Sequence, residues 1–283
     1  MGFFNSYTKP GKGISKEDVQ KSGIPLYFDI FFRRFWKFIS LNLLYMLASI
    51  PAIVISFVMA NYFIGLIITV MQLHENEAVL NLMPFISIPF AMLLFQITGS
   101  GPATVSHNYT LRKYVKDTHV WLWTDFVGCF KRNFLQGLAV YIINVLVVFL
   151  LFFGFLFYRF MMPGKIQQVL SIFIMVTAVI FFIMQKYTYM LVSGFELKTI
   201  HIFKNAFILT MAGLVWNLFS AVVVGAMTWG ICCLYVKIPA VAIFVIFGIY
   251  FSIITFTQLF ITNNTVKKYL EEPALQNTTE TEE

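Results

Sequence analysis

The sequence predicts an all-α integral membrane protein with six transmembrane helices, both termini in the cytoplasm, and amphipathic helices on the cytoplasmic side. Three observations predict it. Six runs contain no Asp, Glu, Lys or Arg: 38–74, 78–111, 133–158, 166–185, 205–236 and 238–266. Each can cross a hydrocarbon core of about 30 Å, which takes roughly 20 helical residues. The gaps around these runs hold 7, 0, 5, 2, 3, 1 and 2 Lys plus Arg in chain order, so 17 basic residues fall on one side and 3 on the other. Because cytoplasmic flanks are enriched in Lys and Arg, the first, third, fifth and seventh gaps, and with them both termini, are placed inside. The chain is 59% hydrophobic and only 12% charged, which leaves little material for a soluble domain, so residues 25–266 read as one transmembrane unit. The net charge of +7 sits in membrane-flanking segments. Its expected partner is therefore anionic lipid rather than nucleic acid.

Residues 1–24 read as a polar cytoplasmic arm without the isolated short apolar core of a cleavable signal peptide, and Ser15 to Asp18 is a weak capping pattern. From Pro25 a helix enters the membrane through Tyr27, Phe28, Phe31, Phe32, Phe35, Trp36 and Phe38 with Arg33, Arg34 and Lys37 between them, as either an interfacial anchor or a docking face. The first run would be about 55 Å long as one helix, too long for a single straight crossing and too short for two. Span one is therefore predicted at about 36–60 with a kink at Pro51, and 61–74 emerges externally with Glu75 and Glu77.

Span two is predicted at 82–107, and its inner end breaks the apolar pattern with Thr98, Gly99, Ser100, Gly101, Pro102, Thr104, Ser106, His107 and Asn108. Pro102 cannot donate to the carbonyl of Thr98, and the glycines permit close backbone approach. The cluster is either a packed kink or a site for a partner helix or small ligand, with Gly99, Gly101, Pro102 and Thr104 as its candidates. In the next loop Leu122, Phe126, Phe130 and Phe134 recur every fourth residue, so 121–134 reads as an amphipathic helix. Its candidate contact residues are Trp121, Leu122, Trp123, Asp125, Phe126, Phe130, Lys131 and Arg132, facing either lipid or a groove on another subunit.

Spans three and four, 134–158 and 167–186, carry no charge in their middle, and the third cytoplasmic loop runs from Lys186 to Lys204. Span five, 206–236, contains a small-residue step at Ala221 and Gly225, and Pro239 opens span six, 238–262. Residues 267–283 form an acidic cytoplasmic tail expected to be disordered.

The missing chemistry is informative. With no charged residue at the centre of a predicted span, a proton- or sodium-coupled transporter is disfavoured. Neither a phosphate-binding Gly-rich loop ending in Lys and Ser or Thr, nor the permease loop that engages a transport ATPase, is found; the segment 196–206 is its nearest approach. Cys129, Cys232 and Cys233 lack partners for nucleophilic catalysis, and no His or Cys spacing suggests a metal. The three Asn-X-Thr triplets at Asn108, Asn263 and Asn277 fall on the cytoplasmic side and read as chance. No catalytic residue, cofactor site or metal site is assigned.

Certain segments carry a resemblance. Gly101-Pro102-Ala103-Thr104, Leu111-Arg112-Lys113-Tyr114, Leu122-Trp123-Thr124-Asp125-Phe126 and Phe130-Lys131-Arg132-Asn133-Phe134 resemble the YesL family of Gram-positive bacterial membrane proteins. Leu41-Asn42-Leu43-Leu44-Tyr45 and Phe203-Lys204-Asn205-Ala206 are similar to it as well, so the likeness covers roughly residues 30 to 265. Residues 61–82 form an extra outer segment compared with shorter relatives. The resemblance implies a multi-pass plasma-membrane protein encoded beside ATP-binding-cassette carbohydrate importers, an accessory subunit whose partners are the importer's permease and ATPase. It supplies no catalytic residue. From another class, an independent small-solute transporter or channel with a polar pathway near residues 98–108 remains the alternative.

The topology generates a direct test. Single cysteines at Glu77 and Lys165 should react with a membrane-impermeant thiol reagent on intact cells, and those at Lys116 and Glu280 should not; the reverse pattern would overturn the 17-to-3 assignment.

Overall fold

A computed structural model describes residues 23–71, 77–161 and 164–272, and every regular element among them is a helix. The predicted N-terminal arm up to Ser22, its capping pattern, Glu75 of the outer loop and the acidic tail from Pro273 lie outside the described residues. The chain divides into two units, Met1–Phe35 and Trp36–Glu283. In the first, α1 (Ile24–Arg33) has Pro25 in its opening turn, where a missing N–H removes nothing the helix would use. Phe28 stacks on Phe32, and Arg33 reaches Asp29 at 3.9 Å one turn back.

The second unit contains α2 (Phe35–Ala48), α3 (Ile50–Val70), α4 (Glu77–Thr98), α5 (Pro102–Val115), α6 (Leu122–Arg132) and α7 (Phe134–Leu156). A π turn, Phe157–Met161, extends α7. It continues with α8 (Lys165–Gly194), α9 (Thr199–Ala212), α10 (Leu214–Lys237) and α11 (Pro239–Val245). A second π turn, Ile246–Tyr250, then joins α11 to α12 (Phe251–Val266), which ends in a third, Lys267–Glu271. Among the described residues, five helices are long and apolar enough to cross a membrane: α3, Phe134–Phe160, α8, α10 and the composite Pro239–Leu270. A sixth is added if Phe85–Thr98 and Pro102–Val115, bent by 72°, count as one crossing. Val215, Leu150 and Phe173 are 78%, 69% and 68% exposed, far more apolar surface than water tolerates and what lipid requires. The protein is a multi-pass membrane protein.

Several helix limits differ from those read off the charges. The first apolar run breaks at Ser49, two residues ahead of the kink expected at Pro51, because proline is accommodated in the opening turn of α3 and ends the helix before it. Residues 61–70 are helical, since nothing there stops a helix and the Asn61 and Thr69 side chains bond back to the carbonyls of Phe57 and Gly65. The helix drawn as 82–107 is two helices, broken over residues 99–101. The run drawn as 206–236 is broken at Gly213. Finally, α8 runs through Gly194, so Lys186 belongs to a helix of 30 residues and not to a loop.

These interruptions free backbone groups that lipid cannot solvate. Three asparagines with no exposed surface, Asn42, Asn144 and Asn217, answer them. Asn42 on α2 donates to the carbonyls of Ile246 and Phe247 at 3.1 and 2.6 Å and accepts from the Ser252 N–H at 3.0 Å, spanning the π turn. Asn217 donates to the carbonyls of Leu209 and Thr210 at the end of α9 and accepts from the Tyr187 hydroxyl at 2.6 Å. Replacing Asn217 with Ala should therefore destabilise the protein by about 1 to 3 kcal/mol, the penalty for orphaned buried groups. Thermal unfolding in detergent checks this, with Val215→Ala on the lipid-exposed surface expected to be near neutral.

Candidate functional site

The polar break predicted at the end of the second apolar run lies at the centre of the second unit. Pro102 has no N–H for the Thr98 carbonyl, so that carbonyl accepts from the Tyr189 hydroxyl and, at 3.4 Å, from the Asn144 amide. Asn144 and Gln185 exchange reciprocal amide bonds at 2.6 and 3.1 Å, and Asn144 also donates to Tyr189 at 3.0 Å. The two helix breaks meet: the Ser49 hydroxyl donates to Ser100 at 2.7 Å. Thr104 accepts from the Ser100 N–H at 2.7 Å and pairs with the Tyr45 hydroxyl at 3.1 Å. His107, 1% exposed, stacks on Tyr45 with ring centroids 4.3 Å apart and shares a 3.0 Å hydrogen bond with Ser252.

Close approach explains the glycines. Gly99 and Gly101 have φ of 70° and 64°, conformations that side chains rarely adopt. A Cβ on Gly101 would stand 3.0 Å from the Gly137 carbonyl oxygen, and one on Gly137 would stand 2.9 Å from Pro102. Gly99, Gly101 and Pro102 are buried, and Thr104 nearly so. Gly101 and Pro102 form a packed kink against α7, while Gly99, Thr104 and Asn108 also line a small cavity.

The other candidates lie on α6. Its N-terminus is held by Asp125, which accepts from the Trp121 N–H at 2.9 Å and pairs with Lys113 of α5 at 2.8 Å. The stripe expected to face outward turns inward instead: Phe126 is 2% exposed, Leu122 and Phe130 are half-buried, and Cys129 is buried. The reason is that α6 packs on α5 and hides its apolar side there. Burial pushes the Cys129 thiol above its usual value, so it stays an inert thiol. What α6 presents outward is Trp121 and Trp123, 71% and 67% exposed, with Lys131 and Arg132 at the other end. Its neighbouring surface contains a cleft of about 560 Å³ lined by Arg132, Asn133, Gln136, Glu196 and Lys198, where Gln136 donates to the Leu197 carbonyl at 2.6 Å.

A second space was not anticipated from the sequence. A cavity of about 50 Å³ is lined by Thr104 and Asn108 of α5, Gln185, Lys186 and Tyr189 of α8, Gln258 of α12 and Gln96 of α4. The signal in the sequence was Gln185-Lys186 at the end of an apolar run, which closed that run instead of being read as its polar face. Among the described residues no group of three or more His, Cys, Asp or Glu could hold a metal ion.

Compared with known proteins, residues 38–155 match the family model described as protein of unknown function, DUF624, the family that includes YesL-type membrane proteins. The match covers α2 to α7, the segment that contains both helix breaks and α6. No curated protein and no solved structure matches the chain.

The contact between residues 101–102 and Gly137 predicts that Gly101→Ala and Gly137→Ala each destabilise by about 1 to 3 kcal/mol through overpacking. Thermal unfolding of the two single variants and the double variant checks it. The double should lose less than the sum, because the two side chains compete for one contact.

Proposed function

We propose that the chain is a non-enzymatic accessory subunit of an ATP-binding-cassette oligosaccharide importer, resident in a Gram-positive plasma membrane with both termini in the cytoplasm. The observation that carries this reading is the outward face of α6, where Trp121 and Trp123 stand exposed beside Lys131 and Arg132. Exposed tryptophans on a helix whose own apolar side is already buried are the residue type that anchors protein interfaces. The likeness to the YesL family supplies the importer as partner: its permease within the membrane, and its ATPase at the cytoplasmic surface where α6 is expected. The buried polar centre supports the same reading by what it lacks. Its groups are largely bonded to one another, and a cavity of about 50 Å³ holds roughly four waters, not a sugar.

The earlier docking candidates Phe126, Gly101 and Pro102 do not serve as tests of partnership, because each packs within the chain. Trp121 and Trp123 do. Purified through a tag in mild detergent, the chain should bring down importer subunits, and Trp121→Ala with Trp123→Ala should reduce recovery by about tenfold or more, the loss of one interface anchor. Its thermal stability should remain unchanged. Uptake of labelled oligosaccharide by vesicles containing this chain alone would overturn the proposal in favour of an independent transporter.

A further inference from the structure

The small polar cavity is built by one face from each of three helices. Phe182, Gln185, Lys186 and Tyr189 lie on a single face of α8; Phe251, Ile254, Thr255 and Gln258 repeat that spacing on α12; Thr104 and Asn108 sit one turn apart on α5. Much of its lining is already satisfied: Gln185 pairs with Asn144, Tyr189 with Thr98, and Thr104 with Ser100. Two groups are not, and a third, the half-buried Lys186, is a charge without a counter-charge among the described residues. Asn108 is 3% exposed and its Oδ1 accepts no hydrogen bond. The Gln96 Nε2 is buried and donates none. Lys186 makes no ion pair among the described residues; its ammonium lies 5.1 Å from the ring centroid of neighbouring Tyr187, and no carboxylate lines the cavity.

The chemistry of these three groups selects an occupant. An ammonium in an apolar helix bundle requires a negative charge, which water does not supply. The Gln96 amide requires an acceptor. The Asn108 oxygen requires a donor, which a halide or a plain carboxylate lacks. An oxyanion that also carries a hydroxyl satisfies all three, and the space of roughly four waters admits one tetrahedral group. Lys186 lies eight residues before the end of α8, about 12 Å along the helix axis. We infer that this cavity, between α4, α5, α8 and α12, is a binding site for a hydroxyl-bearing phosphate, presented either by the phosphomonoester headgroup of phosphatidic acid or as free phosphate. The assignment is independent of the importer reading, since none of its residues lies on α6.

The test uses the full chain. Purified protein is exposed to mixed micelles of phosphatidic acid and phosphatidylcholine, and retained lipid is counted by native mass spectrometry; in a parallel arm, inorganic phosphate is titrated while thermal unfolding is followed. Wild type should retain one phosphatidic acid in preference to phosphatidylcholine, or else be stabilised by inorganic phosphate, and the arm that responds identifies the source. Lys186→Met should weaken that response by about tenfold or more, as expected for one charge-assisted contact. Lys204→Met, at an exposed position on α9, should leave it unchanged. Asn108→Val keeps the charge and removes the acceptor, so it should weaken binding even if Lys186→Met fails to fold. The inference is overturned if neither lipid nor phosphate binds, or if Lys186→Met and Asn108→Val respond as wild type does.

Discussion

The fold depends on one constraint: a backbone carbonyl or N–H released inside an apolar medium must find a partner within the protein. This chain releases several, at Ser49, over residues 99–101, at Gly213 and through the π turn Ile246–Tyr250. The answers come largely from one helix. On α2 and at the break that follows it, Asn42, Tyr45 and Ser49 lie at positions i, i+3 and i+7, so a single polar stripe faces the core from an otherwise apolar segment. Asn42 reaches the π turn, Tyr45 reaches Thr104 and His107, and Ser49 reaches Ser100. Asn144 and Asn217 do the same work from α7 and α10. Stability is therefore concentrated in a few buried polar side chains, because apolar packing against lipid distinguishes the folded state only weakly.

The same constraint explains where the candidate sites are. A glycine-proline break could have opened a groove to a neighbouring subunit; here the second glycine of the contact, Gly137, comes from α7 of the same chain, and the groove is filled. Turning α5 by 72° away from α4 brings Asn108 beside Lys186 and lays down the surface on which α6 packs. The bend thus separates an internal polar space from an external aromatic face. Both candidate sites follow from it, though they share no residue.

Part of the site was legible in the sequence, and the limits were physical. The break over residues 99–101 and the freed Thr98 carbonyl follow from the chemistry of proline and glycine alone. The four-residue period of Leu122, Phe126 and Phe130 correctly marked a helix with one apolar side, but periodicity states only that such a side is buried, not against what. The bonding roles of Asn42, Asn144 and Asn217 are not legible in the sequence, because an uncharged amide barely disturbs an apolar run and its partners lie on other helices. Lys186 escaped because a charge was taken as the end of a span. A helix of 30 residues has room for a charge before its end when neighbouring helices offer polar side chains.

By itself, the sequence determined that the chain is helical and belongs in a membrane, since the length and apolarity of each run are local properties priced by the bilayer one segment at a time. It determined the break ahead of Pro102 as well, because the missing donor acts on the residue four positions back, although Pro84 and Pro89 are carried inside α4 without one. Only the tertiary structure decided which helix answers each break, that Gly101 meets Gly137, that the face of α6 turns inward, and that Lys186, Asn108 and Gln96 surround one cavity. Those are pairings between residues far apart in the chain. No single segment encodes them, since each depends on the angle at which two helices cross and on which polar group is left without a partner once the others have paired.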